Sequence, residues 1–150
     1  MADLKQEVQE RRTGTQDLIG KLNQERDEML MLFCRTAGLE PYHSNQPVQA
    51  VLQRFCQVLV DYVAVGHFTL YERILNGTER RQEIVRLAER LYPDIAETTD
   101  AAVLFNDKYD CEDHCEIGDS LAADLSALGE KLATRIGLED QLIVALESKS

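Results

Sequence analysis

The sequence has no tryptophan, no long apolar run and comparatively few basic residues. Because no stretch approaches about 18 consecutive apolar residues, we expect no membrane-spanning helix. Residues 1–12 are polar and charged and lack the apolar centre of a signal peptide, so a cytoplasmic protein is expected. With 16 basic against 27 acidic residues, the net charge is −11. Phosphate repels such a field, which argues against direct binding to nucleic acid.

Motifs that carry catalysis are also missing. The sequence contains no Gly-rich phosphate loop, no G-x-S-x-G and no H-E-x-x-H. Its three histidines, His43, His67 and His114, occur without a Glu-x-x-His pair, which argues against a di-iron site in a helical bundle. Cys56 could be a nucleophile, but His67 lies three helical turns away and is too distant to activate it. We therefore predict that the chain is not an enzyme and has no cofactor.

Helical periodicity extends along the whole chain, and no alternating pattern typical of strands occurs. The length is that of one ordinary domain, residues 1–150. The fold class predicted is all-α, an antiparallel helical bundle with one or two extra short helices. The predicted helices cover Leu4–Ala37 and Pro47–Leu75, a third helix ends at Pro93, a fourth begins at Asp94, and a last one begins at Asp119 or Ser120.

The stretch FCQVLVDYVAVGHFTLYERIL, residues 55–75, is apolar but contains several polar residues. On a helical wheel one side is a core stripe that includes Gly66, which would let a neighbouring helix approach closely. The opposite side combines carboxylates with apolar side chains that should be covered by another part of the chain or by a partner. Its members include Asp61, Val65, Phe68 and Glu72.

Three interpretations of this helix follow from the residues alone. Asp61 and His67 fit ordinary half-buried polar residues with hydrogen-bond partners. They also fit a surface that binds another protein, or a catalytic or metal site. His67 and Tyr71 lie between the two sides of the helix, four residues apart and within contact range.

The segment CEDHC is a second candidate site. Cys111, His114 and Cys115 could ligate zinc, although a C-x₃-C spacing is less common than C-x₂-C. A chance cluster in a polar loop is the simpler interpretation. A disulfide between the two cysteines, formed under oxidative stress, is a third.

Residues 55–72 resemble the Rsd/AlgQ family of bacterial anti-sigma factors, which typically reads F-C-Q-x-L-V-D-Y-x-x-x-G-H-F-x-x-Y-E. Every fixed position of that pattern is present. LEDQLI at 138–143 is similar to the family's C-terminal L-E-D-x-L-I, and RLYP at 90–93 to the end of its third helix. The sequence at Leu104–Asp107 is closer to that of the AlgQ branch. The resemblance covers about residues 18–146.

The resemblance implies a cytoplasmic, all-helical regulator of transcription. Such a protein binds the C-terminal region (region 4) of the primary, housekeeping sigma factor, and so blocks its contacts with the −35 promoter element and with core polymerase. In the pseudomonad branch the family is linked to alginate and other virulence-related genes. Gly20, Lys21 and Leu22 stand where the family has Asp-Arg-Trp. A diverged helical regulator that binds another protein, or a metal- or redox-sensing bundle using Cys111, His114 and Cys115, is therefore the alternative.

A surface for this partner is predicted from the central and last helices. A DNA-reading helix-turn-helix carries basic side chains, so carboxylates can meet them where DNA would offer phosphates. Val65 and Phe68 would be the apolar centre of the interface. His67 and Tyr71 would contact the partner or hold the surface in shape. The predicted partner-binding residues are Asp61, Val65, His67, Phe68, Tyr71 and Glu72, with Glu139 and Asp140 extending the acidic surface.

Overall fold

The computed structural model describes residues 2–38, 46–72, 74–75, 79–109 and 120–147. Within these ranges the chain forms α-helices and a π-helical segment and no strand, so the prediction of an all-α helical bundle is confirmed. Each α-helix packs against its neighbour in sequence. None of the described helices is long and apolar enough to cross a membrane. The helices are α1 (Ala2–Ala37), α2 (Gln46–Val65), α3 (Gln82–Tyr109) and α4 (Ser120–Glu147), and the π segment (Gly66–Tyr71) directly continues α2.

All four helices and the π segment contribute apolar side chains to one buried core. Each fully buried Leu or Phe side chain contributes about 1.5–3 kcal/mol through loss of contact with water. Edge-to-face rings join three helices at the centre, because Phe55 lies 5.8 Å from Phe33 and 5.7 Å from Phe105 between ring centroids. The most deeply buried apolar residues include Leu22 and Met29 of α1, Leu52, Phe55, Leu59 and Tyr62 of α2, Ala88 and Ala102 of α3, and Leu121 and Leu142 of α4.

Pro93 does not end a helix. α3 continues through it, so the helices predicted to end at Pro93 and to begin at Asp94 are one helix of 28 residues. A proline removes the hydrogen bond to the carbonyl four residues earlier, here that of Glu89. Pro93 and Glu89 are both exposed, so water can bind the freed carbonyl, and the buried residues on both sides hold the helix in one piece.

The π segment begins at Gly66. The amide of Glu72 donates to the carbonyl of His67, five residues earlier, which is the hydrogen bond that defines a π-helix. A Cβ atom on Gly66 would lie 2.9 Å from Arg135 Nη2 and 2.9 Å from Glu139 Oε2. The prediction that Gly66 allows a neighbouring helix to approach closely is therefore confirmed, and that helix is α4.

Candidate protein-binding site

The outer side of α2 and the π segment carries an aromatic ring between carboxylates. Phe68 is 63% exposed, and Asp61 and Glu72 are exposed as well. The ring of His67 meets Phe68 edge to face at 4.9 Å. Val65 is only partly buried and packs on the core, so it forms the inner edge of this surface. We call Asp61, His67, Phe68 and Glu72 the acidic-aromatic face.

A second aromatic layer lies behind this face. Tyr71 is 1% exposed and cannot reach a partner directly, and its other predicted role, that of holding the surface in shape, stays a prediction. Tyr92 of α3 stands 5.9 Å from Tyr71 and 6.3 Å from His67, between ring centroids. Tyr92 itself is 36% exposed and adds to the surface. Sequence reasoning missed this role, although the RLYP motif was the signal that could have found it.

Glu139 is not on the surface. Its carboxylate is fully buried, with 0% exposure, and accepts hydrogen bonds from Arg26 Nη2 at 3.0 Å, from the Tyr62 hydroxyl and from Arg135 Nε at 3.0 Å. The prediction that Glu139 extends an exposed acidic surface is therefore wrong. Asp140, the next residue, is exposed as predicted, and accepts from Arg26 Nη1 at 2.9 Å.

Arg135, also 0% exposed, completes this cluster. Its Nη1 donates to Thr99 Oγ1 at 2.7 Å and to Thr98 Oγ1 at 3.2 Å, both on α3. Its Nη2 donates to the carbonyl of Val63 at 3.3 Å, in the turn before the π segment. The guanidinium also lies over the Tyr62 ring, 5.6 Å from its centroid. We call Arg26, Tyr62, Arg135 and Glu139 the charged cluster; it joins α1, α2 and α4 and contacts α3.

The sequence carried a signal for the two buried charges of α4. Arg135 and Glu139 continue the apolar spacing that Leu128, Leu132 and Leu142 define, with steps of three or four residues. A charged residue in that phase must be buried, and buried charges are paired. The resemblance to L-E-D-x-L-I marked Glu139 without its partners. Arg26 carried a comparable signal, because it lies four residues after Leu22 and three before Met29, both of which are buried.

Burial and the Glu139 carboxylate raise the pKa of Tyr62 above its ordinary value, and the same two causes raise the pKa of Tyr71. Burial opposes the charge of Arg26, but its hydrogen bonds with Glu139 and Asp140 outweigh burial and raise its pKa. Both tyrosines are therefore neutral and Arg26 is charged over the whole ordinary pH range. Among the buried side-chain nitrogen and oxygen atoms of the described residues, Arg26 Nε and the Tyr71 hydroxyl have no hydrogen-bond partner.

The alternative prediction was a metal or redox site. Cys111, His114 and Cys115 are outside the described residues, so this alternative stays a prediction that elemental analysis of the purified protein would test. Within the described part of the chain, no group of three His, Cys, Asp or Glu side chains could hold a metal ion. Cys34 is exposed and Cys56 is buried.

In the part of the chain that the structure describes, these features define an all-helical protein with an exposed aromatic ring beside exposed carboxylates, a chemistry that suits contact with another protein. The model of a family described as "Regulator of RNA polymerase sigma(70) subunit, Rsd/AlgQ" matches residues 1–147, and the chain belongs to that family. The resemblance seen in the sequence is thereby confirmed at the level of the family.

Individual relatives agree with this assignment. A Regulator of sigma D from Yersinia pestis is 34% identical over 137 residues, which cover 87% of this chain and 79% of that protein. A Regulator of sigma D from Yersinia enterocolitica is also 34% identical over 137 residues, covering 87% of this chain and 80% of its own. One from Shigella dysenteriae is 30% identical over 142 residues, covering 90% of this chain and 87% of that protein.

Proposed function

We propose that this protein is a cytoplasmic anti-sigma factor that binds the C-terminal region (region 4) of the primary sigma factor. Bound there, it would block the contacts of that region with the −35 element and with core polymerase. The observation that carries the proposal is the acidic-aromatic face, on a chain whose family is described as regulating the sigma(70) subunit. The names of the relatives, Regulator of sigma D, support the same partner.

The chemistry of the face suits a basic helical partner. An interface needs a large side chain at its centre that becomes fully desolvated, and Phe68 is such a side chain. Asp61 and Glu72 flank it, and Asp61 has no ion pair among the described residues, so its carboxylate is available to a partner's Arg or Lys. The net charge of −11 would speed encounter with a basic partner, most at low salt.

The difference from the family's Asp-Arg-Trp at residues 20–22 changes the packing of the core more than the exposed surface. Leu22 is 1% exposed and lies in the core, 3.8 Å from the position of a Cβ on Gly66. Gly20 and Lys21 are exposed. We therefore infer that this chain keeps the sigma partner, with a core beneath Gly66 that differs from the usual one. As part of this proposal, we also infer from Leu104–Asp107 that the chain is closer to the AlgQ branch of the family.

Calorimetry against the isolated C-terminal region of a bacterial primary sigma factor, at two salt concentrations, tests the function. We expect micromolar or tighter binding that weakens as salt is raised, because exposed carboxylates are screened. A diverged regulator of another protein, the alternative, would give no binding even at low salt. That result would mean that the chain shares the fold of its family but not the sigma partner.

A further inference from the structure

The charged cluster lies directly beneath the π segment. Arg135 Nη2 donates to the carbonyl of Val63, three residues before that segment begins. Gly66, its first residue, is so close to the cluster that a Cβ would lie 2.9 Å from both Arg135 Nη2 and Glu139 Oε2. Tyr62, one turn earlier, donates to Glu139. The buried charges thus lie against Tyr62, Val63 and Gly66, where α2 changes to π geometry.

This change of geometry decides where the following side chains point. A π turn holds one residue more between hydrogen-bonded groups than an α turn does, and such turns, which are rare, occur frequently at functional sites. A wheel drawn at α-helical spacing places Tyr71 between the two sides of the helix, whereas the structure buries both Leu70 and Tyr71. The wider turn therefore brings Tyr71 inward, while Phe68 stays outward against His67.

The chemistry of the cluster suits a positioning role better than a stabilising one. Charges buried as a pair often add little to stability relative to well-packed apolar residues, because each loses its hydration. Their hydrogen bonds are directional, however, and the forked guanidinium of Arg135 reaches α2, α3 and Glu139 at once. Such a group fixes one arrangement of three helices, which an apolar side chain of similar size would not do.

We infer that Gly66, Arg135 and Glu139 are positioning residues: they hold the π turn and thereby set the direction in which His67 and Phe68 meet a partner. This inference rests on the proposed function for its binding readout. It assigns a role in recognition to three residues that no partner would touch.

Gly66→Ala is the sharpest test, with Gly137→Ala of α4 as its matched control. The added methyl group on Gly66 must displace the guanidinium or the carboxylate, and both are fully buried and bonded on several sides. At Gly137 the same methyl group meets nothing within 4 Å. We expect Gly66→Ala to weaken binding of the sigma C-terminal region about tenfold or more, and Gly137→Ala to leave it unchanged.

A structural readout separates positioning from general damage. In the wild type and in Gly137→Ala, the hydrogen bond from the Glu72 amide to the His67 carbonyl should give a through-hydrogen-bond NMR correlation. That correlation should be lost in Gly66→Ala. If Gly66→Ala melts at a lower temperature but keeps the correlation and wild-type affinity, the cluster serves stability alone and the inference is wrong.

Arg135→Lys covers the case in which Gly66→Ala does not fold. It keeps a positive charge beside Glu139 but removes the fork that reaches Val63 and Thr99. Loss of the Glu72–His67 correlation in this variant supports the inference, and its retention overturns it. If the wild type itself does not bind the sigma region, the proposed function fails while the NMR comparison still decides whether the cluster holds the π turn.

Discussion

Glu139 and Phe68 lie in environments opposite to those that their side chains favour in water. The carboxylate of Glu139 is fully buried, whereas 63% of the Phe68 side chain is exposed. Glu139 is compensated by three donors from three residues, so its burial costs no unmade hydrogen bond. Phe68 has no comparable cover within the described chain. The comparison teaches that a charge can be buried where donors meet it, and that the exposed ring is the group to which the proposed function assigns contact with another protein.

Replacing Glu139 should have the largest effect. Glu139→Ala leaves Arg26 and Arg135 without their shared partner, and breaking a buried pair in this way typically costs about 3–5 kcal/mol. We expect the free energy of unfolding in urea to fall by that amount. Asp140→Ala is the control, because its exposed pair with Arg26 should contribute about 1 kcal/mol or less. Equal losses in the two variants would show that burial does not distinguish these neighbours.

Asp61→Ala should act on binding rather than on stability. Losing a charge that becomes buried against a basic partner costs about 2–5 kcal/mol, or roughly 30-fold or more in affinity. The unfolding free energy should stay within about 0.5 kcal/mol of the wild type, because Asp61 is exposed. Asp100→Ala, an exposed carboxylate on α3, is the control. If only the melting temperature of Asp61→Ala drops, Asp61 is structural and the acidic-aromatic face is misassigned.

Phe68→Ala should weaken sigma binding by about 2 kcal/mol, the value typical of an aromatic side chain at the centre of an interface. Calorimetry would measure it beside Leu104→Ala, which removes a side chain of similar exposure (68%) from α3. Leu104→Ala should bind as the wild type does. A loss of the same size in both variants would mean that exposed apolar area in general, and not this face, drives association.

Tyr62 and Tyr71 both lie near Glu139, and replacing each by Phe compares a hydroxyl that donates to the carboxylate with one that does not. Tyr62 donates to the carboxylate, so Tyr62→Phe should lower the unfolding free energy by about 1.5–3 kcal/mol. The Tyr71 hydroxyl has no partner among the described residues, so Tyr71→Phe should change it by less than about 1 kcal/mol in either direction. Thermal unfolding of the pair measures both. A large loss in Tyr71→Phe would point to a hydrogen bond that the present geometry does not contain.

Ionisation of the buried tyrosines should have the smallest effect on the free energy of unfolding at ordinary pH. The folded-state pKa of Tyr62 and of Tyr71 is raised by burial and by Glu139. A raised pKa means that the stabilisation is complete below the unfolded value of about 10 and is lost as pH rises beyond it. We therefore expect stability to be flat with respect to these groups near neutrality and to fall above about pH 10. An unfolding free energy that stays flat above about pH 10 would contradict this.

Much of the fold could be read from the sequence, because helical spacing of apolar residues reports burial directly. Gly66 is the best example, since its place in the core stripe predicted the close approach that α4 makes. Pro93 is a counter-example. A proline predicts a helix end from local backbone chemistry, but the buried side chains on both sides of it kept α3 continuous.

The candidate site was only partly predictable, for reasons that individual residues show. Asp61, Phe68 and Glu72 were placed on one outer side by the wheel, and the structure exposes all three. Their contact with a partner remains a prediction. Glu139 was misplaced because a carboxylate beside another carboxylate suggests an exposed surface, whereas its position in the phase of the α4 core decides its burial.

The sequence by itself determined that the chain is helical, acidic and a member of the Rsd/AlgQ family, because composition, spacing and a motif are properties of the chain in order. Only the tertiary structure decided which charged side chains are buried and which aromatic ring is exposed. Arg26, Tyr62 and Glu139 are far apart in sequence, and they meet because the packing of α1, α2 and α4 removes water from their common space. The turn that presents Phe68 follows from that meeting, since its first residue must be small enough to lie against the buried pair.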